Sequence, residues 1–381
     1  MITSRVLGKA RSNHASRRLP TRTLTAALLT SALAVGMLPT ATAAPNEVAP
    51  DSENLNAANT NPAAAERLPQ VDFDLQSHRG GRGEWTEESA AAFRNSLALG
   101  VTTLELDVVV SEDDVPVVWH NPEIQDDKCT DTAPATEGDP EYPYVGKLVK
   151  DLNFEQLQTL RCDLVLDGFP DAEPIEDNRL IQLSDVFEIA ANAPNVHFNI
   201  ETKIEAEDKE RSREPEVFVD AVMSQIESSG VAERSMIQSF DWRSLPLVRE
   251  RDANMPLVLL WDETTWHSGT PWSGPVDFDE VGGDPVAAAR QLDVQVLSPS
   301  HAIPYGSNPD DVDYQPTATA EFIARANEAG LRVVPWTINE ESTMHEQIDA
   351  GVDGIITDYP TRLRAVMAER GMELPEPAAA R

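Results

Sequence analysis

Basic residues are scarce in this sequence: 30 Lys and Arg stand against 65 Asp and Glu, a formal net charge of −35. A surface of that sign repels nucleic-acid phosphates and anionic leaflets, which excludes polyanion binding as a main function. Long apolar runs are missing too. The most apolar stretch, residues 24–38, is interrupted by Thr, Ser and Gly and is too short to favour a membrane span, so no stable membrane insertion is expected. Cysteine is nearly absent, with only Cys129 and Cys162, which excludes both a disulfide-dense scaffold and a thiolate metal cage. No internal repeat is visible, so a solenoid or propeller is not expected.

The few basic residues are unevenly placed. Arg5, Lys9, Arg11, Arg17, Arg18 and Arg22 precede the apolar stretch without one acid, and Ala41-Thr42-Ala43 follows it as an A-x-A cleavage site. Residues 1–43 are therefore expected to be a signal peptide, and the remainder a secreted, extracellular protein. Ser16-Arg17-Arg18 hints at twin-arginine export, but Pro20 stands where an apolar residue belongs, and general secretion fits equally. In an oxidising compartment two cysteines suggest one disulfide. Residues 44–68 and 372–381, rich in Ala, Pro, Asn and Glu without periodicity, are expected to be a flexible spacer and a flexible tail.

Between them, residues 69–371 alternate short β-branched runs with helical ones. Strands are expected at 71–75, 102–110, 196–203, 235–240, 256–261, 294–298, 331–338 and 354–357, and helices in the intervals between them. Residues 121–150, irregular and rich in Pro, Asp, Thr and Tyr, are expected to be an insertion after the second strand. Eight strand–helix units make the fold class α/β, and their number suits a TIM (β/α)₈ barrel better than an open sheet.

In such a barrel, catalytic side chains belong at strand C-terminal ends. His78 ends the first expected strand, Asp107 lies late in the second, Glu201 and Lys203 end the third, and Trp336 lies near the end of the seventh. Glu105 and Asp107 are one strand-step apart and share a face, while Leu104, Leu106 and Val108 take the other. Imidazoles, a guanidinium and carboxylates gathered in this way point to metal-assisted phosphoryl chemistry.

The ordered motifs His78-Arg79-Gly80, Glu87-Glu88-Ser89, Glu105-Leu106-Asp107-Val108, His120-Asn121-Pro122, Ile200-Glu201-Thr202-Lys203, Trp336-Thr337-Ile338-Asn339 and 351–360 resemble those of the glycerophosphodiester phosphodiesterases. The resemblance runs from about residue 71 to 370. It implies a TIM barrel carrying one divalent cation, Ca²⁺ or Mg²⁺, with Glu105, Asp107 and Glu201 at the metal ligand positions. It likewise implies catalytic roles for His78 as base and His120 as acid, and substrate contacts from Arg79, Lys203 and Trp336. Hard cations favour carboxylate oxygens, and a divalent ion with Arg79 and Lys203 balances three carboxylates and one phosphodiester.

The chain departs from the family pattern at Asn121, where an Asp is usual, and an amide cannot supply charge to the neighbouring imidazole. Glu87 reads as a helix-terminus residue, and Asp358 as a residue fixing a loop. His197 is expected in the core, and His267, His301 and His345 on loop or helix surface. Trp261, Trp266 and Trp272 are candidates for an apolar rim or for packing within a long loop. The expected partner is a small-molecule phosphodiester, with no obligate protein partner implied. Rival readings are a phospholipase-type enzyme acting on lysolipids, sphingolipids or cell-wall glycerophosphate polymers, and a binding protein that captures phosphorylated alcohols without turnover.

Overall fold

The structure, a computed structural model, describes residues 61–381. The expected signal peptide and most of the expected spacer lie outside the described residues. Eight parallel strands follow one another around a barrel: β1 Asp74–Ser77, β2 Thr103–Val110, β3 His197–Thr202, β4 Ser235–Ser239, β5 Leu257–Trp261, β6 Val296–Pro299, β7 Arg332–Val333 and β8 Gly354–Thr357. The ladder runs from β8 through β1 to β7. Its two ends are joined by the backbone bonds Asp353 N–H to Val333 O and Ile356 N–H to Pro335 O. Helices Ala90–Leu99 (α1), Leu183–Ile189 (α2), Pro215–Ser229 (α3), Ser244–Arg251 (α4), Pro285–Leu292 (α5), Ala320–Glu328 (α6), Glu341–Ala350 (α7) and Pro360–Glu369 (α8) each follow one strand. The expected (β/α)₈ barrel is what the chain forms.

Side-chain alternation sorts the strands as their sequence requires. On β2, Leu104, Leu106 and Val108 join Phe93, Leu97, Val186 and Phe218 in the apolar layer between sheet and helices. Thr103, Glu105 and Asp107 turn inward. The inward positions of the other strands form two layers. Below lies an apolar plug of Met236, Val258, Val296, Val334 and Ile356, closed by Leu68. Above it runs a ladder of amides, in which Asn199 donates to Gln76 and Gln238, and Gln238 donates to Glu105 Oε1 at 2.6 Å. Buried amides are tolerated only when their donors meet acceptors, as those of Asn199 and Gln238 do here.

Four expectations about segments need correction. The spacer does not stay unstructured to residue 68: Asn61 caps the short helix Pro62–Glu66, and Leu68 completes the plug. The expected flexible tail instead packs on the barrel. Met372, Leu374, Ala378 and Ala380 lie against the core, and the N–H groups of Ala378 and Arg381 reach the carbonyls of Leu97 and Ile189 at the ends of α1 and α2. Helix C-termini leave carbonyls unpaired, and an extended strand of Pro and Ala can satisfy them without any periodicity of its own. The insertion does not stop at 150 but runs on to α2. The helix Phe154–Gln158 belongs to it, and Trp119, Ile124, Tyr144, Leu152, Leu157 and Leu160 give it a separate apolar cluster. Finally, β7 is far shorter than expected, because Pro335 has no N–H to donate.

Cys129 and Cys162 form the expected disulfide, across 33 positions of the insertion. Closing a loop of this size contributes about 3–4 kcal/mol in the chain-entropy view. A Cys129→Ser/Cys162→Ser variant should therefore lose about that much stability by urea unfolding. A midpoint unchanged from the parent would show that the insertion's apolar cluster holds it without the bridge.

Candidate active site

The site opens at the C-terminal ends of the strands. His78 follows β1 directly, and the chain then turns through left-handed backbone at Arg79, Gly80 and Gly81. A Cβ on Gly80 would meet the Ala92 Cβ at 2.9 Å, so only glycine lets this turn seat against α1. The turn delivers the Arg79 N–H to Glu105 Oε2 at 3.0 Å and Arg79 Nε to Asp107 Oδ2 at 2.8 Å.

β2 and β3 pair with Asp107 beside Glu201, and Glu105 sits one inward step below. The register brings carboxylate oxygens of Glu105, Asp107 and Glu201 within 4.8 Å of one another, all buried. Two like charges at that spacing repel by roughly 3–4 kcal/mol at an effective dielectric near 20. Burial, then the neighbouring Asp107 and Glu201, push the Glu105 carboxyl well above the ordinary range. Burial also raises Glu201, to about 8, with Lys203 opposing and Asp107 reinforcing the rise. Asp107 goes the other way. Burial would raise it, but Arg79, His120 and Lys203 outweigh that and hold it well below the ordinary range. Its two oxygens are buried without a hydrogen-bond donor of good geometry. Three converging hard oxygens of this kind fit a divalent cation.

The histidines stand in different surroundings. His78 Nδ1 lies 2.5 Å from Asp358 Oδ1, and its Nε2 lies 3.9 Å from Glu105. Asp358 also accepts from Arg82 Nε at 2.8 Å and Asn339 Nδ2 at 2.7 Å. Burial would raise the Asp358 carboxyl, but His78 and Arg82 bring it far down, so it stays ionised. His120 has no carboxylate at hydrogen-bond distance: Nδ1 meets Asn121 Oδ1 at 3.0 Å and Nε2 meets Lys203 Nζ at 3.1 Å. Burial, Arg79 and Lys203 together depress it well below an ordinary imidazole; burial also lowers His78, where Asp358 opposes the fall. Lys203 donates to Glu201 Oε1 at 2.7 Å.

The eight residues expected at the site thus come together: His78, Arg79, Glu105, His120, Glu201, Lys203 and Trp336 line one cleft of about 490 Å³, with Asp107 beneath them. Asp358, expected to fix a loop after the last strand, instead meets the His78 ring. Arg82 and Lys128, which no local pattern marks, join the site as well. Glu87, read as a helix-terminus residue, instead bridges Arg79 and Lys128. The tryptophan loop divides: Trp261 and Trp266 are buried in the core, and only Trp272 reaches the rim, edge-on to Phe240. Phe240 meets Trp336, and Trp336 meets Tyr305. Leu166 and Phe169 of the insertion line the same cleft. His301, expected on the surface, is buried, with Nε2 at the Ser307 carbonyl.

A pH dependence follows. The folded chain binds the Glu201 proton more tightly than the unfolded one does. Without a cation, stability therefore falls as pH rises from the ordinary carboxylate range through about 8. A cation competes with those protons. Saturating Ca²⁺ or Mg²⁺ should raise the Tm more at pH 8 than at about pH 5.5, and an equal rise at both would contradict the assignment.

The glycerophosphoryl diester phosphodiesterase family profile matches residues 78–362. A glycerophosphodiester phosphodiesterase of Caldanaerobacter subterraneus is 26% identical over 298 residues, covering 77% of this chain and 98% of its own. The human lysophospholipase D GDPD1 is 24% identical, covering 76% and 84%. Among solved structures, one from Silicibacter pomeroyi described as a glycerophosphoryl diester phosphodiesterase superposes with a TM-score of 0.65 at 25% identity, covering 81% of this chain and 97% of the other. With the barrel, the ordered motifs and this match in agreement, the chain belongs to the glycerophosphoryl diester phosphodiesterase family.

Proposed function

We propose that this protein is an exported, metal-dependent phosphodiesterase that hydrolyses glycerophosphodiesters to an alcohol and glycerol phosphate. The observation that carries the reading is the convergence of Glu105, Asp107 and Glu201 within 4.8 Å, flanked by His78, His120, Arg79 and Lys203. Glu105, Asp107 and Glu201 would hold Ca²⁺ or Mg²⁺. When bound, the cation supplies Lewis acidity toward a phosphate oxygen. Arg79 and Lys203 neutralise phosphate charge as it redistributes over the equatorial oxygens. His78 and His120 handle the two protons: one leaves the attacking hydroxyl, and one is given to the departing alkoxide as its P–O bond breaks. Trp336 forms the wall against which the substrate's head group rests. The disulfide supports export, since such bridges persist in oxidising compartments.

A second reading, cleavage of lysolipids, is favoured by the apolar residues that line the cleft: the contacting rings of Phe240, Trp336 and Tyr305, with Leu166 and Phe169. The human relatives named lysophospholipase D agree with it.

Two outcomes test the proposal. On a phosphodiester panel, chelation should abolish turnover, and His78→Ala should lower kcat by about 10²-fold or more. Undiminished activity in either arm would remove the mechanism, and tight binding without turnover would favour a binding protein. Comparing glycerophosphocholine with lysophosphatidylcholine separates the two substrate readings. Trp336→Ala should raise KM more than it lowers kcat.

A further inference from the structure

Lys128 is buried at the edge of the site on the disulfide-bridged insertion. Its neighbour Cys129 is tied to Cys162, and its carbonyl accepts from the Leu164 N–H at 3.3 Å. The ammonium donates to Glu87 Oε1 at 2.6 Å and to Asn121 Oδ1 at 3.1 Å, and lies 5.1 Å above the Trp119 ring. Asn121 Oδ1 is also 3.0 Å from His120 Nδ1.

The donor and acceptor inventory settles what these contacts are. An ammonium has only hydrogens to give, so the amide atom that faces Lys128 is the carbonyl oxygen. That oxygen can meet His120 Nδ1 only if Nδ1 carries a proton. At the other end of the ring, Lys203 Nζ lies 3.1 Å from Nε2 and again can only donate. His120 is therefore bracketed by two lysines, one direct and one acting through an amide. The arrangement that satisfies both is the neutral ring with its hydrogen on Nδ1 and a lone pair on Nε2.

We propose that Lys128, acting through Asn121, is a positioning residue that fixes the His120 tautomer, so that His120 enters the reaction as a proton acceptor at Nε2. This rests on the phosphodiesterase reading above, and it is opposite to the acid role that the family resemblance implies for this histidine. The Asn at 121 then has a function of its own. An Asp would also accept from Nδ1, but its charge would favour the imidazolium. The step is balanced: Nε2 takes the proton of the attacking hydroxyl as the new P–O bond forms, the P–O bond to the leaving group breaks, and His78, whose Nδ1 faces Asp358, gives the departing alkoxide its proton. Lys203 also reaches Glu201, so a phosphate oxygen can draw its ammonium from Nε2 without stranding it.

The test uses the full chain, with and without Ca²⁺, and the ring ¹⁵N signals of His120, assigned by their loss in His120→Gln. Wild type should show a protonated Nδ1 and an unprotonated Nε2. With glycerol phosphate bound, so that a phosphate oxygen draws Lys203 from Nε2, Lys128→Met should mix the tautomers that wild type keeps apart and lower kcat about tenfold or more at nearly constant KM, and Lys128→Arg should restore both. Glu87 keeps Arg79 and Arg82 as partners in Lys128→Met, so no buried charge is left alone.

A wild-type ring protonated on Nε2, or a Lys128→Met variant with tautomer and kcat unchanged, would overturn the proposal. Should Lys128→Met fail to fold, Asn121→Asp decides. Arg79, Lys203 and Asp107 face His120 in both proteins, so the new charge should raise the imidazole pKa. An acceptor then moves the acid limb of the kcat profile to higher pH. Movement of the alkaline limb alone would make His120 a donor and overturn the proposal. Wild type with the predicted ring signals but no turnover would overturn the phosphodiesterase reading and uphold the tautomer.

Discussion

Everything at the mouth of this barrel depends on the repulsion among three carboxylates that the strand register forces together. Parallel pairing sets Asp107 beside Glu201, and the inward step of β2 adds Glu105. None of the three can turn away, because each leaves a strand whose opposite face is committed to the apolar layer against the helices. Such a cluster is tolerated only when positive charge is close at hand. Arg79 and Lys203 supply part of it, at 2.8 Å from Asp107 and 2.7 Å from Glu201. Burial, with the neighbouring carboxylates adding to it, still holds Glu105 and Glu201 up in pKa, and a divalent cation at the three converging oxygens would offset both.

The remainder of the fold holds those charges in place. The amide ladder inside the barrel ends on Glu105 Oε1, so the plane of that carboxylate is set by side chains from three other strands. Asp358, arriving from the end of β8, aims the His78 ring and is aimed in turn by Arg82 and Asn339. The two imidazoles are thus made unequal by their partners. One leans on a buried carboxylate, and the other loses its protonated form to burial and to the charges of Arg79 and Lys203.

The barrel could be read from the sequence because its period is local: β-branched runs alternate with helical ones, and each strand writes its own inward and outward residues. The site residues could be read because they cluster in short motifs at strand ends. What stayed hidden depends on long-range placement. Lys128 lies in a segment without periodicity, and only the folded insertion, bridged from Cys129 to Cys162, carries it to Asn121. The tail looks featureless because its partners are helix-end carbonyls distant in sequence, at Leu97 and Ile189. A loop histidine such as His301 gives no hint in sequence that the Ser307 carbonyl waits for it in the interior. Trp261 and Trp266 take the packing role, one of the two readings open to them, since aromatic residues on the catalytic side of a barrel serve packing as readily as binding.

The most direct measurement is anomalous diffraction from crystals grown with Mn²⁺, a divalent ion that accepts the same oxygen ligands as Mg²⁺. The account predicts a single strong peak within bonding distance of Glu105, Asp107 and Glu201, in the cleft between His78 and His120. A well-ordered site with no peak there, or a peak coordinated by other residues alone, would contradict it.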